Sequence, residues 1–320
     1  MVRGIPSIKH YAILCGSCIT VLAQPLLASE ANSLANQTAC GNTSVSTVEP
    51  LARNSLNIDV AEHVLCQGDQ VRVLHQGGHV RKLSFKKRQG WGVDAWMKCE
   101  QRCEHSGVKR SKMADCPGCK CTIMNPARYM YPYLRRALQT TESHCNGEYQ
   151  IGASKRTESY NVLFVGLGAG SLTHAIQKAC QPGIVVIIEH QSEVIDAALL
   201  YFGLRFRKIN STELNDKHGT QVLEADGAAG MKVVLARLRP ETFDAVLIDC
   251  MDGEGSIPGG CKSVSFQSSI GKMLKQGGFV MQWTWLADKD DVRTGFGETL
   301  GNSHEDNNWV LASKASEAEL

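Results

Sequence analysis

The chain has 320 residues, of which 43% are hydrophobic and 21% charged, and its formal net charge is +2. Those proportions exclude a disordered or low-complexity chain and a multi-span membrane protein, and they leave room for one large domain plus a smaller one. The near-neutral total hides an asymmetry: residues 51–150 hold 16 basic and 9 acidic side chains, whereas residues 151–320 hold 16 and 21.

The first 28 residues read as a targeting segment. Arg3 and Lys9 precede an apolar stretch from Tyr11 to Ala28, and small residues follow at Ala28, Ser29 and Ala31. This is the charged, apolar, small-residue order of a secretory signal. Gly16, Ser17, Thr20, Gln24 and Pro25 interrupt the stretch, which disfavours a stable span. The expected location is the secretory pathway or the extracellular space; a single membrane anchor and an organellar transit peptide are the alternatives. Asn36, Asn42 and Asn210 open glycosylation triplets compatible with secretion. Residues 29–50, rich in Ser, Thr, Asn and Ala, read as a flexible linker.

Residues 51–150 form a Cys-rich, basic region. Val71–Leu74 and Val80–Phe85 suggest short strands separated by Gly77 and Gly78. Arg81, Lys82, Lys86, Lys87 and Arg88 make a basic cluster. A solvated face is the preferred reading and an anionic partner the other; no aromatic pattern points to specific nucleic-acid binding. A helix is expected over 128–139, with Pro132 disturbing its middle. Eight of the 13 cysteines lie between the targeting segment and the α/β pattern that begins at residue 160: Cys40, Cys66, Cys99, Cys103, Cys116, Cys119, Cys121 and Cys145. In an oxidising compartment they suggest disulfides of unreadable connectivity. The spacing of Cys99, Cys103, Cys116, Cys119 and Cys121, with His105 nearby, also approaches that of a zinc site; no metal ligands are assigned.

From residue 160 apolar runs alternate with helical patterns: strands at 160–165, 184–188, 220–224, 243–248 and 278–283, and helices at 171–179, 192–202, 228–238 and 265–274. The stretch 286–308 is polar and reads as a loop, 309–312 as a last edge strand, and 314–320 as a tail. Alternation of this kind implies an α/β fold, a doubly wound, mostly parallel sheet over residues 151–313.

Four motifs fall at strand ends. The first, VLFVGLGAGSL (162–172), places Gly166, Gly168 and Gly170 before a helix whose free N–H groups can face a ligand. Its spacing departs from the dinucleotide pattern, because Ser171 stands where the third glycine would be. The second motif is Glu189, a strand-end acid able to accept both hydroxyls of a ribose. Next comes Asp226-Gly227, either a plain turn or an acceptor for an adenine amino group. Last are Asp249 and Asp252, two carboxylates over the cleft that could orient an amine or take its proton. Cys250, between them, reads as a small buried hydrophobe rather than a nucleophile.

Together the segments VLFVGLGAGSL, VVIIEHQSEVIDAALLYFGL, LEADGAAG, FDAVLIDCMDGEGSIP and LKQGGFVM resemble the spermidine/spermine synthase-like family within the class I S-adenosylmethionine (SAM) methyltransferase fold. The resemblance covers about half of the chain. It implies that Gly166, Gly168 and Gly170 line the methionine side of a donor pocket, that Glu189 holds the ribose and that Asp226-Gly227 meets the adenine. It implies that Asp249 and Asp252 are the family's acid pair, whose first member, Asp249, faces the attacking amine in polyamine synthases and also lies at the donor site. The implied cofactor is SAM or decarboxylated SAM.

One departure matters. Aminopropyltransferases of that family carry an acid in the glycine loop, where this chain has Ala169, and a proline after the acid pair, where it has Gly253. Methyl transfer to a protein or small-molecule nucleophile is therefore the expected activity. The alternatives are aminopropyl transfer and a non-catalytic secreted binding protein. A homodimer is compatible with the family.

Overall fold

In the computed structural model of the chain, the structure describes residues 62–76, 80–85, 92–99, 121–123, 130–147, 159–251, 256–306 and 308–315. The signal, the linker, residues 316–320 of the expected tail, Asp252, Gly253 and the side chains of the Cys99–Cys121 cluster lie outside them, whereas Lys314, expected in the tail, closes the last strand. By backbone register, Cys99 and Cys121 are cross-strand partners. No described helix is long and apolar enough to cross a membrane.

Five strands make an antiparallel sheet in chain order: β1 (Glu62–Gln67), β2 (Val71–Gln76), β3 (Val80–Phe85), β4 (Gly92–Cys99) and β5 (Cys121–Ile123). Helix α1 (Pro132–Cys145) follows. Pro132 begins this helix instead of interrupting it: its missing N–H is one that a first turn leaves unpaired anyway.

The remaining elements build the larger sheet. They are β6 (Asn161–Val165), α2 (Ser171–Cys180), β7 (Ile184–Glu189), α3 (Ser192–Leu200), β8 (Arg207–Ile209), β9 (Gly219–Glu224), α4 (Gly227–Arg237), β10 (Phe243–Ile248), α5 (Val264–Met273), β11 (Leu274–Trp283), α6 (Lys289–Leu300), β12 (Gly301–Asp306) and β13 (Trp309–Lys314). The order is β12-β13-β11-β10-β6-β7-β9-β8. All pairs from β11 to β8 are parallel; β13 runs antiparallel to both of its neighbours. The doubly wound expectation holds.

The stretch 286–308 departs from it, holding α6 and β12 in place of a loop. Val292, Phe296 and Leu300 recur every fourth residue and are all buried, a stripe that the intervening charges and glycines conceal. Because β12 is polar and pairs with β13, β13 is an internal strand and not the edge.

The chain enters the sheet at β6, continues to β7, runs out to the edge strand β8, steps back to β9 between β7 and β8, then crosses to β10 on the other side of β6. The carboxyl ends of β6 and β10 therefore flank the crevice where open α/β sheets bind ligands. The N-terminal sheet packs over one side of this end. Leu65, Cys66, Val71, Val73 and Leu83 share an apolar cluster with Ala169, Val194, Ala198 and Phe202. Arg81, expected on a solvated basic face, is buried there, and its guanidinium donates to the Tyr201 carbonyl. The Glu193 carboxylate at the start of α3 accepts three backbone N–H groups of the β1–β2 turn, from Asp69 (2.8 Å), Gln70 (2.8 Å) and Val71 (3.0 Å).

Two disulfides lie within this body. Cys145–Cys180 joins the ends of α1 and α2, and Cys250–Cys261 joins the end of β10 to the turn before α5. Cys145 thus pairs outside the Cys-rich set, and Cys250 is half of a disulfide, not a free buried thiol. Cys66 is disulfide-bonded as well.

Candidate donor and acceptor cavity

A cavity of about 1020 Å³ opens at the carboxyl ends of the strands, large enough for a nucleotide-sized ligand and a second small molecule. One part of its wall is the turn after β6. Gly166 has φ +99° and Gly170 φ +75°, a region that L side chains rarely adopt. A Cβ on Gly166 would lie 2.4 Å from the Asp249 carbonyl oxygen, so only glycine lets this turn cross the end of β10. Gly166 and Gly168 line the cavity. Gly170 faces Leu204 instead, where a Cβ would come within 2.6 Å of Cδ1. Ala169 is fully buried in the apolar cluster under the N-terminal sheet and its methyl group does not reach the cavity.

Glu189 ends β7, and both of its oxygens are already engaged. Oε2 accepts the Leu167 N–H and Oε1 the Gln191 N–H, each at 2.9 Å. A carboxylate has about four acceptor sites, so these bonds leave capacity for a diol hydroxyl. Burial holds its pKa above the ordinary carboxylate value, against the pull of these backbone donors. Asp226 sits at the mouth and caps α4, its Oδ1 accepting from Ala228 and Ala229 at 2.9 and 3.2 Å. Capping leaves Oδ2 available, so the turn role and a ligand role are compatible. Gly227 lines the wall beside it.

Asp249 follows β10 and receives the Tyr133 hydroxyl on Oδ2 at 3.2 Å. Its pKa is pushed up to about 6, mainly by burial; the Tyr133 hydrogen bond lowers it and the nearby Glu189 raises it. Burial and the same carboxylate push the Tyr133 phenol up. Asp252 lies outside the described residues.

An aromatic cluster that the sequence reading missed lines the same cavity and meets Asp249 through Tyr133. The ring of Tyr133 lies 4.4 Å from that of Trp283, and Trp309 and Trp285 lie 5.7 and 5.9 Å from Trp283. The Trp309 indole N–H donates to the Tyr133 carbonyl at 2.9 Å, and Trp309 is the cross-strand partner of Trp283. A signal was there: Trp283 and Trp285, two apart, fall at the carboxyl end of the strand next to β10. Gln70 and Phe85 of the N-terminal sheet also reach the cavity. The described lining carries Glu189, Glu193, Asp226 and Asp249 but no Lys or Arg. Among the described residues, no group of three or more metal-ligating side chains is assembled.

With this geometry in place, the similarities acquire a structural meaning. Residues 149–287 match the family described as the spermine/spermidine synthase domain. The matched segment is less than half of the chain. No curated protein sequence matches the chain. A probable spermidine synthase from Corynebacterium glutamicum is 11% identical over 77% of this chain and 78% of its own, with a TM-score of 0.50. The spermidine synthase of Thermotoga maritima is 12% identical over 78% of this chain and 72% of its own (TM-score 0.46). Human methyltransferase-like protein 13, solved with SAH, is 17% identical over 59% of this chain and 84% of its own (TM-score 0.44). At such identities the likeness is one of fold. The matched segment contains the glycine turn, Glu189, Asp226, Asp249 and the first two cavity tryptophans, while Tyr133 and Trp309 lie outside it.

Proposed function

We propose that the cavity binds S-adenosylmethionine and that the protein is a methyltransferase acting on a nucleophile admitted at the aromatic end. The observation that carries this reading is the convergence of the glycine turn, Glu189, Asp226 and Asp249 on one acidic cavity with no Lys or Arg in its described lining. A sulfonium donor is cationic, and such a lining attracts it and repels anionic nucleotides. Glu189 suits the ribose diol and the free Asp226 oxygen an adenine amino group. The N–H groups of the first turn of α2, where Gly170 offers no side chain as a cap, suit the carboxylate of the aminoacyl group.

Methyl transfer by in-line displacement needs positioning and exclusion of water more than a strong base. The aromatic cluster supplies a dry, flat wall. Asp249, once ionised, can hold an attacking amine and receive its proton. No acid of the glycine turn faces the cavity, so the ammonium of a decarboxylated donor gains no partner there. Aminopropyl transfer is the second reading, favoured by the family that residues 149–287 match. The three strand-end acids in one cavity count against a purely non-catalytic module. The disulfides support the oxidising, secretory location expected from residues 1–28.

Product analysis separates the two reactions. Purified protein is incubated with SAM or decarboxylated SAM and a panel of amines and peptides. S-adenosylhomocysteine in the SAM arm supports methyl transfer; 5′-methylthioadenosine in the decarboxylated arm replaces that reading with aminopropyl transfer.

A further inference from the structure

We propose that the Cys250–Cys261 disulfide is a redox-sensitive wall of the cavity, and that its reduction by a dithiol weakens donor binding. The proposal rests on the donor reading of the cavity for its consequence, but its structural half does not. Cys250 is half-buried, lines the cavity and directly follows Asp249; Cys261 is fully buried. Their Cα atoms are 6.8 Å apart. The crosslink lies against the start of α4: a Cβ on Gly227 would come within 2.6 Å of the Cys261 sulfur and 3.3 Å of the Cys250 sulfur. Gly227 is the neighbour of Asp226, and Gly260 packs closely on Ala228, a Cβ there lying 3.0 Å from the alanine methyl. One sulfur pair thus joins the strand end bearing Asp249 to the helix end bearing Asp226.

Two thiols cannot remain at bonding distance. After reduction the sulfurs must separate to van der Waals contact, and the surroundings decide which one moves. Cys261 is held: the buried Gln282 amide donates to its carbonyl at 3.1 Å, and Lys262 pairs with Asp288 at 2.6 Å. Below the pair, the Gly227 backbone leaves no room. Cys250 has the cavity in front of it, so its thiol, with Asp249 and Met251 on either side, shifts towards the ligand space. In the exchange, a dithiol thiolate attacks the Cys250 sulfur, the Cys250–Cys261 bond breaks, and Cys261 leaves as a thiolate that takes up a proton. The second thiol of the reagent, losing its own proton, then displaces Cys250, which is protonated in turn. The protein gains two electrons and two protons, and the reagent becomes a cyclic disulfide.

The test uses the whole chain, oxidised and dithiol-reduced, with S-adenosylhomocysteine and 5′-methylthioadenosine as probes. Hydrogen exchange is read over residues 226–230 and 249–251, and affinity by titration. The expected result is faster exchange in both segments on reduction and an affinity loss of about tenfold, a coupling of ordinary size. Reoxidation reverses both. Cys250→Ser/Cys261→Ser should mimic the reduced state and ignore the dithiol. Cys145→Ser/Cys180→Ser should keep the response, which separates this bond from Cys145–Cys180. Unchanged exchange in the reduced wild type, or a dithiol response surviving in the Cys250/Cys261 double variant, overturns the proposal. If neither probe binds in either state, the donor reading fails, and the exchange result alone decides the redox-sensitive wall.

Discussion

Replacing Glu189 with Gln probes the donor assignment at the group that carries most of it. The native carboxylate accepts N–H groups from Leu167 and Gln191, one on each oxygen. A ribose would add bonds to a charged acceptor, worth about 1.5–3 kcal/mol. Losing them should raise the dissociation constant of S-adenosylhomocysteine roughly 10- to 150-fold. The substitution also has a cost of folding. The amide nitrogen of Gln must face either Leu167 N–H or Gln191 N–H, leaving donor against donor at a buried site, which costs about 1–3 kcal/mol. Calorimetric titration gives the first quantity and thermal unfolding of the unliganded variant the second. A cooperative unfolding transition shows that the variant is folded when its affinity is read. A folded Glu189→Gln protein with wild-type affinity would refute the ribose role and the reasoning from strand-end acids with it.

Asp249, whose carboxyl is pushed from its ordinary 3.8 up to about 6, should give a rate that rises with pH through about 6, because only the ionised form takes a proton. Its effect on stability has the opposite sign: the raised value favours the fold below about 4, and that contribution is lost as pH climbs through 6. Tyr133→Phe removes the bond that favours the carboxylate and should move the rate profile to higher pH, while Asp249→Asn should abolish the step; a profile unmoved in both variants would exclude Asp249. Ala169→Asp should destabilise by on the order of 3 kcal/mol or more, because the new carboxylate would lie among Val194, Ala198 and Phe202; a stable variant with altered donor preference would instead place that side chain in the cavity. Cys145→Ala/Cys180→Ala opens a link spanning 35 residues and should cost about 2–4 kcal/mol in denaturant unfolding, with disulfide mapping of the wild type showing this pair and Cys250–Cys261.

The donor half of the cavity was legible in the sequence because strand ends are local. A run such as VVIIE fixes both a buried parallel strand and the acid at its tip, and GLGAGS fixes the turn that follows β6. The acceptor half was not legible, because it is assembled from separated segments. Tyr133 comes from α1, Trp283 and Trp285 from β11 and the turn beyond it, and Trp309 from β13, and only the antiparallel pairing of β11 with β13 brings the last three together. The same holds for the disulfides: Cys145 and Cys180 meet because α1 packs along α2. In α6 the apolar stripe is three residues deep among charges and glycines, too sparse for periodicity to reveal. Ala169 misled in another way. The sequence places it in the glycine turn but says nothing of its direction, and the apolar surface of the N-terminal sheet draws its methyl group away from the ligand side.

The most direct measurement of the central claim is a paired titration of the oxidised protein with SAM and with decarboxylated SAM under one set of conditions. An acidic cavity that attracts a sulfonium, offers helix N–H groups to a carboxylate and lacks an acid in its glycine turn predicts that SAM binds the more tightly. A clear preference for decarboxylated SAM, accompanied by turnover of putrescine or spermidine, would contradict the methyltransferase account.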